Sequence, residues 1–352
     1  MMGISWGGFN GLQIAALAPK PLKAVVSLCS TVDRYADDIH YKGGLMLIEN
    51  PGWAATALSW FSVPPDPELV GEAWFDIWLE RLKATPFLAK RWVERQLRDE
   101  YWAHGSVCED YSSIKAAVLS VGGWHDGYRN TIAHLVENLD APVKGIVGPW
   151  NHKYPHIGVP GPQIDFLGEM LRWWDHWLKG IDRGVDQDPA YRAYLMDSAK
   201  PEVSFEHRAG RWVGLKQPKG SGVRVWAFNG VNLADVAGPV SRSVRTDVSC
   251  GQKAGEYFPF GFGPGELPDD QSADDAKSMC FDGQVLTEDL EIVGAARVAL
   301  SLASDKSRAQ VALRLCDLRP DGTSALITHG FLNLRHRDGH DRAVDMPLGE
   351  IV

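Results

Sequence analysis

A chain of 352 residues is too long for one ordinary core, so two domains are expected. A hydrophobic fraction of 45% with 23% charged residues describes a globular chain and excludes disorder and collagen-like repeats. The formal charge of −9, without any basic stripe, argues against a nucleic-acid or anionic-membrane partner.

No apolar run approaches the ~18 residues of a spanning helix, and the opening MMGISWGGFN has no secretory pattern. The spacing predicts a helix from about Gly8 to Leu17, stopped by Pro19 and Pro21. LKAVVSLCS at 22–30 is an almost continuous apolar run, as a parallel strand buried on both faces requires. Residues 31–110 break the rhythm with aromatic-rich helical segments. Trp74, Trp78 and Leu82 share one face there, and Phe87, Arg91 and Arg95 continue in a second segment. The rhythm resumes with a strand at 116–124, a helix near 128–139, a strand at 143–150 and a helix near 163–179. This is the pattern of an α/β sheet carrying a helical lid at about 31–110. Trp53, Trp60, Phe61, Trp74, Trp78 and Trp92 are expected to form the core between lid helices.

After about Asp188 the composition changes. All but Trp212 and Trp226 of the fourteen tryptophans lie before that point. Short β-rich runs follow at 223–228, 296–302, 310–318 and 325–334, with the turn Pro320-Asp321-Gly322 between the last two. An antiparallel sandwich or jelly roll is the expectation. The domains are therefore drawn at 1–187 and 188–352. The acidic run Asp269, Asp270, Asp274 and Asp275 reads as an exposed loop.

The five cysteines, Cys29, Cys108, Cys250, Cys280 and Cys316, lie thirty residues or more apart without metal-ligand spacing. They read as mostly buried free thiols of a reducing compartment, which favours the cytoplasm.

Gly3-Ile4-Ser5-Trp6-Gly7 fits G-x-S-x-G, the strained strand-to-helix turn that exposes a nucleophilic serine. Small residues are needed at Gly3 and Gly7, where a side chain would collide with neighbouring backbone. The pentapeptide alone is weak in a chain with 36 glycines. Two partners strengthen it. GGWHDG at 122–127 follows one predicted strand and GPWNH at 148–152 follows the next. In a parallel sheet with right-handed crossovers the carboxyl ends of all strands share one edge, so Ser5, Asp126 and His152 converge there. Their order in the chain, Ser then Asp then His, is the α/β-hydrolase order. Asp33, Asp37 or Asp38 is the alternative acid. His125 reads as a packing residue, and His104, His336 and His340 as solvated.

GISWGG, GGWHDGY and GPWNH resemble the nucleophile, acid and histidine motifs of the CocE/NonD serine hydrolases, the group of cocaine esterase and X-prolyl dipeptidyl-peptidase. The stretches at 274–304 and 315–337 resemble that family's C-terminal jelly roll. The resemblance implies an α/β-hydrolase core with Ser5 as nucleophile, His152 as general base, Asp126 as its orienting carboxylate and the Trp6 N–H as an oxyanion donor. It implies no cofactor and no metal. The substrate would be a small ester, an amide or a short peptide, and a homodimer is among the expectations. The family's second oxyanion donor, a tyrosine hydroxyl upstream of the elbow, has no counterpart here. The chain is therefore expected to be a piece of a longer protein, lacking the N-terminal strands that include the one feeding the elbow. A catalytically silent protein that binds through its jelly roll is the alternative reading.

Overall fold

The computed structural model describes residues 1–352 except Ser221 and Thr246. The chain divides into two compact units. The first comprises residues 1–32, 110–299 and 313–329, and the second 33–109, 300–312 and 330–352.

The first unit is built on a six-stranded sheet: β1 (Met2–Ile4), β2 (Ala24–Leu28), β3 (Ala117–Gly123), β4 (Val143–Gly148), β5 (Tyr191–Met196) and β6 (Gly210–Leu215), in that order across the sheet. The first five run parallel and β6 returns antiparallel. Every residue of β2 and β3 is buried, which explains their unbroken apolar sequences. Gly3 pairs with Ser27, Ser27 with Ser120 and Ser120 with Gly145, so the carboxyl ends of β1 to β4 lie in register along one edge. Helices α1 (Trp6–Ala16), α2 (Arg129–Asn138) and α3 (Phe166–Lys179) belong to this unit. Asp165 caps α3 by accepting from the Gly168 N–H, and Gly180 ends it in the left-handed conformation.

The sequence reading requires several corrections. A strand does feed the elbow: Met2–Ile4 pairs with β2. Strands β5 and β6, beyond the expected division at 187/188, extend this same sheet. The run at 296–302 forms no strand, and of 223–228 only Ala227 and Phe228 enter one, the short strand Ala227–Asn229. Strands at Gln310–Leu318 and Ser324–Asn333 match their sequence pattern and form a two-stranded sheet. Between them Asp321 accepts from the Thr323 N–H and Gly322 sits at φ 85°. The acidic run is not an open loop. Asp274 is buried, and Arg314 donates to Gln271 and Asp275 across it.

The second unit holds the helices Glu49–Phe61, Trp74–Ala84 and Leu88–Glu94, within the stretch expected to be helical. Its core differs from the expected one. Tyr35, Tyr41, Ala54, Trp92 and Trp102 are buried together, whereas Trp60 is exposed and the helix Trp74–Ala84 buries no residue. Among the described residues no helix is long and apolar enough to cross a membrane.

Candidate active site

Ser5 joins β1 to α1 with φ 58° and ψ −123°, a conformation that a non-glycine residue adopts only under strain. Two hydrogen bonds of 2.9 Å hold it there. Its N–H donates to the Leu28 carbonyl, and its own carbonyl accepts from the Phe9 N–H. A methyl group on Gly3 would lie 2.4 Å from the Gly7 carbonyl carbon. One on Gly8 would lie 2.7 Å from the Leu28 oxygen. Gly7 faces open space, contrary to the sequence expectation. The motif's second small residue matters because its backbone presses on Gly3, while Gly8 takes the contact with β2.

Asp126 follows β3 and is fully buried. Its Oδ1 accepts from the Tyr128 N–H at 3.2 Å and is paired with His152 Nδ1 at 3.1 Å. His152 follows β4, and its side chain is 9% exposed. These are the acid and the histidine expected from sequence, and the structure brings them together. Ser5 stands at the end of β1, with β2 between its strand and that of Asp126. Among the described residues no hydrogen bond joins Ser5 to His152. Trp6 opens α1, so its backbone lies at the positive end of the helix dipole.

A loop that sequence reasoning missed completes the surroundings of His152. Its backbone N–H donates to the Pro259 carbonyl at 3.1 Å, and Phe260 meets its ring edge-on at 5.3 Å. Phe258 packs against Tyr128. Glu266, itself buried, accepts from the N–H groups of Gly261 and Phe262 and so fixes the loop. The available signal was the aromatic and glycine-rich run YFPFGFG at 257–263.

Cys29 is a second missed residue. It follows β2 with φ 44°, is 2% exposed, and its N–H donates to the Val121 carbonyl. The thiol sulfur, a carboxylate oxygen of Asp126 and a ring nitrogen of His152 lie within 4.8 Å of one another. Burial, and then the charge of Asp126, push the thiol well above its usual range. Of the described residues these three form the one grouping with the composition of a metal site. The raised thiol opposes the thiolate that a soft cation requires. The other four cysteines are half-buried, not buried as expected.

The remaining candidates have other roles. Asp33 accepts from the N–H groups of Tyr35 and Ala36, Asp37 pairs with Lys42, and Asp38 accepts from the Ile39 N–H. His125 is half-buried. Burial, with Arg208 and Arg129 nearby, lowers its imidazole to about 3, and its Nε2 is sealed without a partner, as a packing residue. His104 is solvated, but His336 is buried against Gly44, where an added methyl would lie 2.4 Å from its ring.

A parallel sheet with a strained serine turn at one strand end and a carboxylate–imidazole pair at two others defines the α/β-hydrolase class. Residues 1–154 match the X-Pro dipeptidyl-peptidase (S15) family, and residues 183–352 match the X-Pro dipeptidyl-peptidase C-terminal non-catalytic domain. These two matches, with cocaine esterase and a CocE/NonD hydrolase structure among the similar proteins, support placing the chain with the CocE/NonD hydrolases. It is 22% identical to cocaine esterase of Rhodococcus over 400 aligned positions, covering all of this chain and 68% of that protein. It is 27% identical over 255 residues to a Mycobacterium bovis protein named as a serine esterase, covering 67% of this chain and 37% of the relative. An aminopeptidase from a marine sediment archaeon superposes over the whole chain with a TM-score of 0.66 at 18% identity, and 64% of that protein is covered. The chain thus spans little more than a third of the length of its mycobacterial relatives.

Proposed function

We propose that the chain carries the triad of a serine hydrolase, with Ser5 as nucleophile, His152 as general base and Asp126 as the carboxylate that orients the imidazole. The observation that carries this reading is the His152–Asp126 bond of 3.1 Å, formed by a fully buried carboxylate on the sheet edge where Ser5 occupies its strained turn. The reaction is acyl transfer to water. His152 takes the Ser5 hydroxyl proton as the oxygen bonds to an ester or amide carbonyl carbon. The backbone N–H of Trp6 donates to the oxyanion that forms. The carbonyl re-forms as the bond to the alcohol or amine breaks, and that group leaves with the proton held by His152. Water then gives His152 a proton while its oxygen attacks the acyl carbon, and the acid is released as the proton returns to Ser5. Asp126 accepts from Nδ1 throughout and stabilises the imidazolium.

The substrate is a small ester, an amide or a short peptide. Cocaine esterase among the relatives and the peptidase family match support both chemistries. Phe258 and Phe260 favour an apolar acyl or leaving group near the imidazole.

Incubation with a fluorophosphonate probe tests the nucleophile. The chain is expected to become labelled at Ser5, and Ser5→Ala to abolish labelling. Full labelling of that variant overturns the assignment.

A further inference from the structure

Asp126 is fully buried, yet only its Oδ1 is engaged, and among the described residues Oδ2 has no hydrogen-bond partner. A buried anionic oxygen without a donor is costly, and in an active site it also leaves the carboxylate free to rotate away from its histidine. We propose that the thiol of Cys29 is the positioning donor of this carboxylate, turning its proton onto Asp126 and keeping it aimed at His152. This rests on the triad reading above.

Three observations support it. Cys29 directly follows β2, the strand lying between the serine strand β1 and the acid strand β3, so the sheet itself delivers its side chain to this position. Its left-handed backbone, φ 44°, is a strained choice for a residue with a side chain. Its sulfur, an Asp126 oxygen and a His152 nitrogen lie within 4.8 Å of one another. As placed, the thiol donates to the Lys153 carbonyl, 3.9 Å from the sulfur, and rotation about its Cβ–Sγ bond turns the same proton toward Asp126. The thiol therefore lies between the acid and the carbonyl of the residue after the histidine. Burial and the Asp126 charge hold it protonated, so it is a donor and not a second anion. An S–H group donates weakly, which restrains the carboxylate without quenching the charge that the imidazolium needs.

The test compares Cys29→Ser, which keeps a donor, with Cys29→Ala and Cys29→Gly, which remove it. The glycine variant also relieves the backbone strain and gives a folded protein should the alanine variant fail. The first readout, independent of turnover, is the low-field proton NMR signal of the His152 Nδ1–H. Loss of the donor makes Asp126 a stronger acceptor and is expected to move this signal downfield, with Cys29→Ser close to wild type. The second readout is p-nitrophenyl ester hydrolysis. The acid limb of its pH profile is expected to rise by roughly half a unit to one unit without the donor, and kcat to fall about 3- to 10-fold. A defect confined to packing would lower the active fraction but move neither the signal nor the limb. An unmoved Nδ1–H signal and a superimposable profile in both donor-free variants overturn the proposal. Fluorophosphonate labelling that survives Ser5→Ala overturns the hydrolase reading instead, and leaves the NMR comparison to decide the Cys29–Asp126 contact.

Discussion

Gly123, the last residue of β3, approaches Trp150 so closely that a methyl on its Cα would lie 1.8 Å from the Trp150 carbonyl oxygen. The same oxygen accepts from the His125 N–H at 3.2 Å, and the Trp124 N–H donates to the Gly148 carbonyl at 2.9 Å. This backbone contact sets the acid loop against the histidine loop. Gly123→Ala is expected to separate them, destabilising the fold by about 1–3 kcal/mol and slowing fluorophosphonate labelling severalfold. Urea unfolding and labelling rates measure both effects. Wild-type values in each would deny that the contact aligns the pair.

The two glycines that flank Ser5 in its motif are expected to differ. Gly3→Ala drives a methyl into the Gly7 backbone and should cost about 1–3 kcal/mol. Gly7→Ala meets nothing within 4 Å and lies in the first turn of α1. It should be neutral or stabilising, by up to about 1 kcal/mol. Chemical denaturation of the two variants checks the order, and equal losses would contradict it.

Asp126→Asn preserves shape but removes the charge proposed to support the imidazolium. Hydrolysis of a p-nitrophenyl ester is expected to slow by roughly 10³- to 10⁴-fold while the far-UV spectrum stays unchanged. A loss below tenfold would remove Asp126 from the role of triad acid.

Two imidazoles, one buried and one half-buried, make stability depend on pH. Burial lowers His40, bonded to Asn50, to about 4, and lowers His125 to about 3. An unfolded chain protonates both near their ordinary value, so between about 6.5 and 4 it binds more protons than the folded one. Stability is therefore full above about pH 6.5 and falls as the pH drops through that window. Melting temperatures measured from pH 7 to pH 4.5 should decline, and a flat profile would show these rings to be solvated.

The sheet edge that gathers the strand ends was legible because its signals are local. An unbroken apolar run at 22–30 and GG or GP steps after two further runs mark strand ends whatever packs around them, and parallel topology aligns the ends. What escaped depends on partners distant in the chain. Nothing adjacent to Cys29 announces Asp126, and nothing beside Pro259 announces His152. The insertion shows the same limit. Trp74, Trp78 and Leu82 share a helical face, but periodicity says only that a face is apolar, and the buried cluster formed instead around Tyr35, Tyr41, Trp92 and Trp102. The run at 296–302 alternates like a strand, yet a strand needs a hydrogen-bonded neighbour, which alternation cannot specify.

The carbonyl of Pro259 restrains the loop bearing His152 from far downstream, and β5 and β6 close the sheet from beyond the seam between the two family matches. A chimera joined at that seam would exchange more than an accessory module. It would replace the anchor of the His152 loop and two staves of the sheet, so grafting a foreign second half should retune any chemistry at this edge even when Ser5, Asp126 and His152 are all retained.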